Sequence, residues 1–144
     1  MGNFVKNKVL TLGFAKAKFK ISGSKGSVEG NALVDSGAWY TVIDEEIAER
    51  IGVRYTGLTI TLTSFSGHKV PCREAIVEFI TIEEKTAPSE LIAVCKIPQQ
   101  VKKLLVRQNV EDWIVIGVHT LERLGYAVDV VSHRLVESPG TLMI

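Results

Sequence analysis

An acidic residue, a hydroxyl and a glycine stand together once in this 144-residue chain, as Asp35-Ser36-Gly37. They follow the apolar run Ala32-Leu33-Val34 and precede the small Ala38. A carboxylate carried to the end of an apolar strand can act as a general acid or base when its surroundings hold it in place. The same triplet also makes a good turn, with Asp bonding its own backbone and Gly taking a positive φ. The triplet alone leaves both uses open.

Other chemistry-bearing residues form no comparable group. His68, Cys72, Cys95 and His119 match no standard zinc ligand spacing, so neither a metal nor another cofactor is expected. No Gly-x-Ser-x-Gly elbow supports a serine hydrolase, and no Gly-Lys-[Ser/Thr] loop offers to cradle a phosphate. Asp44, Asp112 and Asp129 read as helix caps or exposed strand positions. The two cysteines are too few for a disulfide framework and are expected as free thiols.

The elements that must position Asp35 are mostly strands. Val, Ile and Thr make up 41 of the residues, a load of β-branched side chains that suits pleated sheet. Ala15, Ala17, Phe19 and Ile21 alternate with Lys16, Lys18 and Lys20, the period of a half-buried strand. Leu10, Leu12 and Phe14 lie on the opposite parity, which places a bulge or bend near Gly13. Gly23 to Gly26 supplies a turn, and Ser27 to Val34 returns as the second arm of a hairpin ending at Asp35. Leu58, Ile60 and Leu62 alternate with Thr59, Thr61 and Thr63; a polar tip at Ser64 to His68 leads into a strand over Val70 to Ile82. Further strands are expected over Glu90–Ile97, Asp112–Ile116, Tyr126–Val131 and His133–Val136.

Three short helices complete the pattern. Asp44 caps one carrying Ile47 and Ile51 and closed by Gly52. Pro98 opens a second with Val101, Leu104 and Leu105 on one face and Lys102, Lys103 and Arg107 turned outward. Leu121 and Leu124 mark a third, stopped by Gly125.

Composition narrows the class. The formal charge is +1, which argues against a chain built to coat nucleic acid or an anionic membrane. The longest apolar stretch, Trp113 to Val118, is far below the roughly 20 residues a spanning helix needs. Asn3, Lys6 and Asn7 interrupt any signal-peptide core. These features lead us to expect a single soluble domain over 1–144, with a cytoplasmic location.

Two stretches together carry a resemblance. Leu33-Val34-Asp35-Ser36-Gly37-Ala38 is followed by Thr41-Val42-Ile43, and Ile114-Val115-Ile116-Gly117 is followed by Leu121 and Leu124. Gly117 stands 82 residues beyond Asp35. In this pattern the chain resembles the retropepsin-like aspartic proteases over about residues 9–137. The resemblance implies an all-β, closed acid-protease barrel of retropepsin type with a few short helices, acting as a two-fold dimer. With one Asp-Ser-Gly per chain, the catalytic pair would be Asp35 and its symmetry mate. Two carboxylates about 3 Å apart, as established for aspartic proteases, cannot both ionise, so one retains the proton that the chemistry uses.

The resemblance also implies roles for the neighbours. Asp35, Ser36 and Gly37 are the catalytic candidates, Ser36 bonding across the two-fold and the Gly37 N–H approaching the carboxylate. Ala38 and Ile116 would help form the cleft floor. Phe65, Ser66 and Gly67 would form a flap over a polypeptide bound as an extended strand. The expected partners are a second copy and this substrate, without nucleic acid or membrane.

Several features depart from viral members. These often place an Arg or Asn/Asp soon after the second glycine, tying the following helix to the active loop; here the run is Gly117-Val118-His119-Thr120, so that tie is either missing or differently made. Trp39 and Tyr40 stand where some viral enzymes have an acidic pair, the flap has the single Gly67, and Pro98–Arg107 looks like an insertion, open to reading as a lid or a partner surface but taken first as a solvated helix face. Gly140–Ile144 could join a dimer sheet or pack within its own subunit. The competing function is a dimeric binding or assembly module of the same fold with weak or no proteolysis.

Overall fold

The computed structural model describes residues 14–64 and 67–138. The expected bulge near Gly13, the flap residues Phe65 and Ser66, and the tail Gly140–Ile144 lie outside the described residues. Among the described residues, nine strands and three helices follow in the order β1 (Phe14–Ser22), β2 (Ser27–Asp35), β3 (Thr41–Asp44), α1 (Glu45–Ile51), β4 (Arg54–Thr63), β5 (Lys69–Ile82), β6 (Lys85–Cys95), α2 (Gln99–Arg107), β7 (Ile114–Gly117), α3 (Val118–Leu124), β8 (Tyr126–Asp129) and β9 (Arg134–Glu137).

Six strands close on themselves in the order β1-β2-β7-β3-β6-β5, with β5 pairing back to β1. The long β5 makes closure possible by dividing one edge between two partners. Residues from Lys69 to Ile76 take β4 on that edge, and Phe79 to Ile82 take β1. The β4–β5 hairpin therefore projects from the barrel, and β8 and β9 form a separate ribbon.

The interior follows from strand parity. On β1 the alanines, Phe19 and Ile21 are buried while the intervening lysines face solvent. Facing strands add Val34, Ile43, Ile80, Ile92, Ile114 and Ile116, all essentially inaccessible. Each such aliphatic side chain contributes about 1.5–3 kcal/mol of transfer free energy, and branching at Cβ limits the χ1 freedom lost.

Most expected elements form, with shifted boundaries. The sixth strand begins at Lys85 rather than Glu90, with Pro88 opposite Phe79. Its turn uses Glu83 at φ 53° in place of a glycine or asparagine, so the usual turn residues gave no mark. Strand β4 begins at Arg54, and a register shift between Tyr55 and Thr59, around Gly57 at φ 93°, precedes the clean Thr/aliphatic alternation. Asp44 caps α1 by accepting from the Glu46 N–H, and Gly52 closes it at φ 78°.

Candidate functional site

Asp35 is the last residue of β2, held between two neighbours. Phe14 of β1 lies opposite it on one side, and Gly117 of the parallel β7 on the other. The parallel pairing thus brings the two halves of the sequence pattern into register. Beyond Asp35 the chain turns sharply. The Ala38 N–H donates to the Asp35 carbonyl at 3.0 Å, and the Gly37 N–H donates to Asp35 Oδ1 at 2.9 Å. A Cβ at residue 37 would stand 3.2 Å from that same oxygen, so a larger residue would press on the carboxylate.

The tie between this loop and the helix after Gly117 is present without an arginine. The Val118 N–H donates to the Ala38 carbonyl at 2.7 Å, and the His119 N–H to the Trp39 carbonyl at 3.2 Å. Beneath them the buried Thr41 and Thr120 hydroxyls meet at 2.7 Å. The Gly117 N–H donates to Thr41 Oγ1 at 3.0 Å. The backbones pass so closely that a Cβ on Gly117 would fall 2.3 Å from the Tyr40 carbonyl oxygen. Sequence reasoning missed the threonine pair; the one available signal was a hydroxyl placed shortly after each half of the motif.

The loop forms the floor of a cleft of about 770 Å³. One side is the base of the β4–β5 hairpin, with Leu62, Ser64 and Val70, and another is the β6–α2 segment, with Ile97, Val101 and Leu104. Asp35 is the only Asp, Glu, Lys, Arg or His among the described residues lining it. The nearby Tyr40 hydroxyl donates to Glu74 Oε2 at 3.0 Å, and burial, then this carboxylate, raise its pKa above the usual phenol value. Trp39 is 64% exposed beside the active loop, with its ring tilted against His119 at 6.2 Å between centroids.

The candidate residues are distributed as follows. Asp35, Ser36, Gly37 and Ala38 all line the cleft. Ile116 does not; it is fully buried in the core, while its neighbour Val115 lines the cleft. The run Ile114-Val115-Ile116 has no polar residue to reveal its parity, which is why the wrong face was expected. Gly67 sits at φ 86° in the hairpin turn, where its N–H donates to the Ser64 carbonyl. Helix α2 is not merely a solvated face, since its inner side borders the cleft. Lys102, expected to point outward, instead turns toward buried Asp44 at 3.7 Å.

Cys72 and Cys95 face each other directly across β5 and β6, both buried and unbridged. A hydrogen bond from Cys95 lowers the pKa of the Cys72 thiol, and the same contact, with burial, raises that of Cys95. His68 and His119 are exposed, and no group of three or more His, Cys, Asp or Glu among the described residues is placed to hold a metal.

Comparison with known proteins agrees with this fold. A family model described as aspartyl protease matches residues 17–120. The retroviral protease-like domain of Ddi1 from Leishmania major is 17% identical, with 88% of this chain and 89% of that one covered at a TM-score of 0.52. A retropepsin-like aspartic protease from Rickettsia conorii is 18% identical, with 81% and 85% covered at a TM-score of 0.45. At such identities the likeness speaks for the fold, and the Leishmania domain carries it. No curated protein matches in sequence.

Proposed function

The chain belongs to the aspartyl protease family, and from that premise we propose that it is an endopeptidase whose Asp35 pairs with Asp35 of a second copy. The observation that carries the reading is the Asp35 carboxylate, held by the Gly37 N–H on the floor of a cleft whose other described lining residues are all uncharged. One carboxylate cannot both withdraw a proton from water and protonate the departing amine at the same moment. A pair about 3 Å apart can, because repulsion keeps one proton bound between them. With one Asp-Ser-Gly in the sequence, that pair requires a homodimer.

In this mechanism the unprotonated member takes a proton from water, the oxygen attacks the peptide carbonyl, and the protonated member supports the developing oxyanion. Collapse then passes a proton to the leaving nitrogen. Apolar walls strengthen these interactions by excluding water. The substrate would lie extended beneath the β4–β5 hairpin, held by main-chain hydrogen bonds. The absence of an arginine after Gly117 favours an inert module, but the backbone and threonine bonds supply the same support to the loop.

Asp35→Asn separates the two readings. Asn keeps an oxygen for the Gly37 N–H but cannot share the proton, so cleavage of an unfolded protein should fall by at least ~10²–10⁴-fold. Solution mass should still report a dimer. Cleavage undiminished in the variant, or a wild type that neither dimerises nor cuts, overturns the protease reading.

A further inference from the structure

We propose that α2 is a fixed wall of the cleft and that Val101 and Leu104 select substrates carrying a large apolar side chain at the residue they touch. The inference rests on the peptidase reading and names the substrate feature that its cleft prefers.

Spacing comes first. Pro98, Val101, Leu104 and Gln108 all line the cleft, at intervals of three, three and four residues. They form one continuous stripe of helix, and the same stripe meets the space above Asp35. The opposite side carries exposed Lys103, Val106 and Arg107, while Leu105 is fully buried beneath the helix. Only Val101 and Leu104 therefore present large, half-exposed aliphatic surface to the cleft from within the helix. An aliphatic surface left partly open to water gains by meeting an apolar group.

Both ends of the segment are tied down. At its start, Asp44 Oδ1 accepts the Ile97 N–H at 3.0 Å and faces Lys102 Nζ at 3.7 Å, while its other oxygen caps α1. At its end, Val110 is buried, and the Glu111 N–H donates to the Asn31 carbonyl at 2.9 Å. Asn31 lies on β2, four residues before Asp35, so the wall is anchored to the strand that carries the carboxylate. The Glu111 side chain also lies over Gly30, where a Cβ would meet it at 2.8 Å. A segment held at both ends supplies shape for selection rather than opening and closing.

Charge completes the argument. Among the described lining residues no Lys, Arg or His waits for an acidic side chain, and the sole carboxylate is Asp35. A charged substrate side chain against Val101 and Leu104 would lose hydration without gaining a partner. An alanine there would leave the wall unfilled.

The test uses full-length Asp35→Asn, so that binding is read without cleavage. Fluorescence anisotropy measures affinity for labelled extended peptides differing only at one central residue, Leu, Ala or Glu, with the variable position moved along the peptide. At the position facing the wall, Leu should bind about tenfold or more tighter than Ala, with Glu weakest. Leu104→Ala and Val101→Ala should each reduce the Leu/Ala ratio to about threefold or less, whereas Lys103→Ala on the outer face should leave it unchanged. Val101→Phe, which fills rather than empties the wall, should shift preference toward smaller side chains and remains informative if an alanine variant fails to fold. Ratios unaltered in all folded wall variants, or no preference at any position, overturn the inference. A Leu preference without wild-type cleavage overturns the protease reading and leaves the wall standing. Wild-type cleavage with a preference indifferent to α2 does the reverse.

Discussion

Thr41→Val tests the support beneath the active loop. Valine nearly matches threonine in shape, so the change removes a hydroxyl without opening a cavity. That hydroxyl accepts the Gly117 N–H at 3.0 Å and meets the Thr120 hydroxyl at 2.7 Å, in a site where both threonines are fully buried. Each buried group left without its partner costs about 1–3 kcal/mol. Two such groups, partly relieved by relaxation, give an expected loss of about 3 kcal/mol, or about 12 °C in Tm for a domain of this size. Thr120→Val removes only one partner of Thr41 and should cost about 1–2 kcal/mol. The double variant should lie close to Thr41→Val, short of the sum, because both changes break one network. Thermal unfolding at fixed protein concentration measures all three, and amide exchange at Gly117 reports the loosening locally. A Thr41→Val midpoint within about 2 °C of wild type, with Gly117 exchange unchanged, would refute the idea that these hydroxyls hold the loop.

Other perturbations have equally definite outcomes. Gly117→Ala should abolish the native fold or the cleavage activity, since its Cβ would sit 2.3 Å from backbone at Tyr40; an active, native-like variant by circular dichroism would contradict the packing. Activity should follow a bell in pH, lost on the alkaline side as the shared proton leaves and on the acid side as both carboxyls protonate; a rate still climbing above pH 8 opposes the paired mechanism. Asp129 has its pKa lowered by the Ser132 hydroxyl and then the Val131 N–H. Its turn therefore contributes stability above the ordinary carboxyl range that disappears as pH falls through the depressed folded value; NMR titration should find Asp129 below Asp in an unstructured peptide. Directly opposed residues of antiparallel strands have Cα atoms about 4.5–5.5 Å apart, inside the disulfide range. Diamide, accepting both thiol hydrogens, should thus convert Cys72 and Cys95 to one intramolecular disulfide; two thiols still open to alkylation after unfolding would count against their opposition.

What could be read beforehand was local. Lys/Ala alternation marked β1, and Asp44 and Gly52 marked both ends of α1. The Asp35 turn was legible because one short stretch encodes its strand, bend and glycine. Longer-range relations were not. Nothing near Phe79 announces that the end of β5 abandons β4 for β1 and closes the barrel. Thr41 and Thr120 are 79 positions apart, and each alone reads as an ordinary strand or helix residue. The apolar stripe of α2 was visible, but periodicity names a face without naming what it meets. Continuous apolar runs hide parity, which is why Ile116 was expected where Val115 stands.

The cleft's walls differ in how firmly they are held, and this decides which must move to admit a polypeptide. Helix α2 has fully buried Leu105 beneath it and hydrogen bonds at both ends of its segment. Strand β4 has no fully buried residue, carries Gly57 at φ 93° within a register shift, and among the described strands pairs only with β5. Edge backbone with little apolar burial opens at low free energy, whereas a helix held by a buried side chain and by bonds at both ends of its segment opens at a higher one. Amide hydrogens over 58–63 should therefore exchange faster than those over 102–105. Binding of an extended peptide should protect the first set selectively, because main-chain bonding to the hairpin replaces bonding to water. If the α2 amides instead exchange as fast as β4 and gain the greater protection, the helix is the moving part, and the assignment of rigid wall and opening hairpin must be reversed.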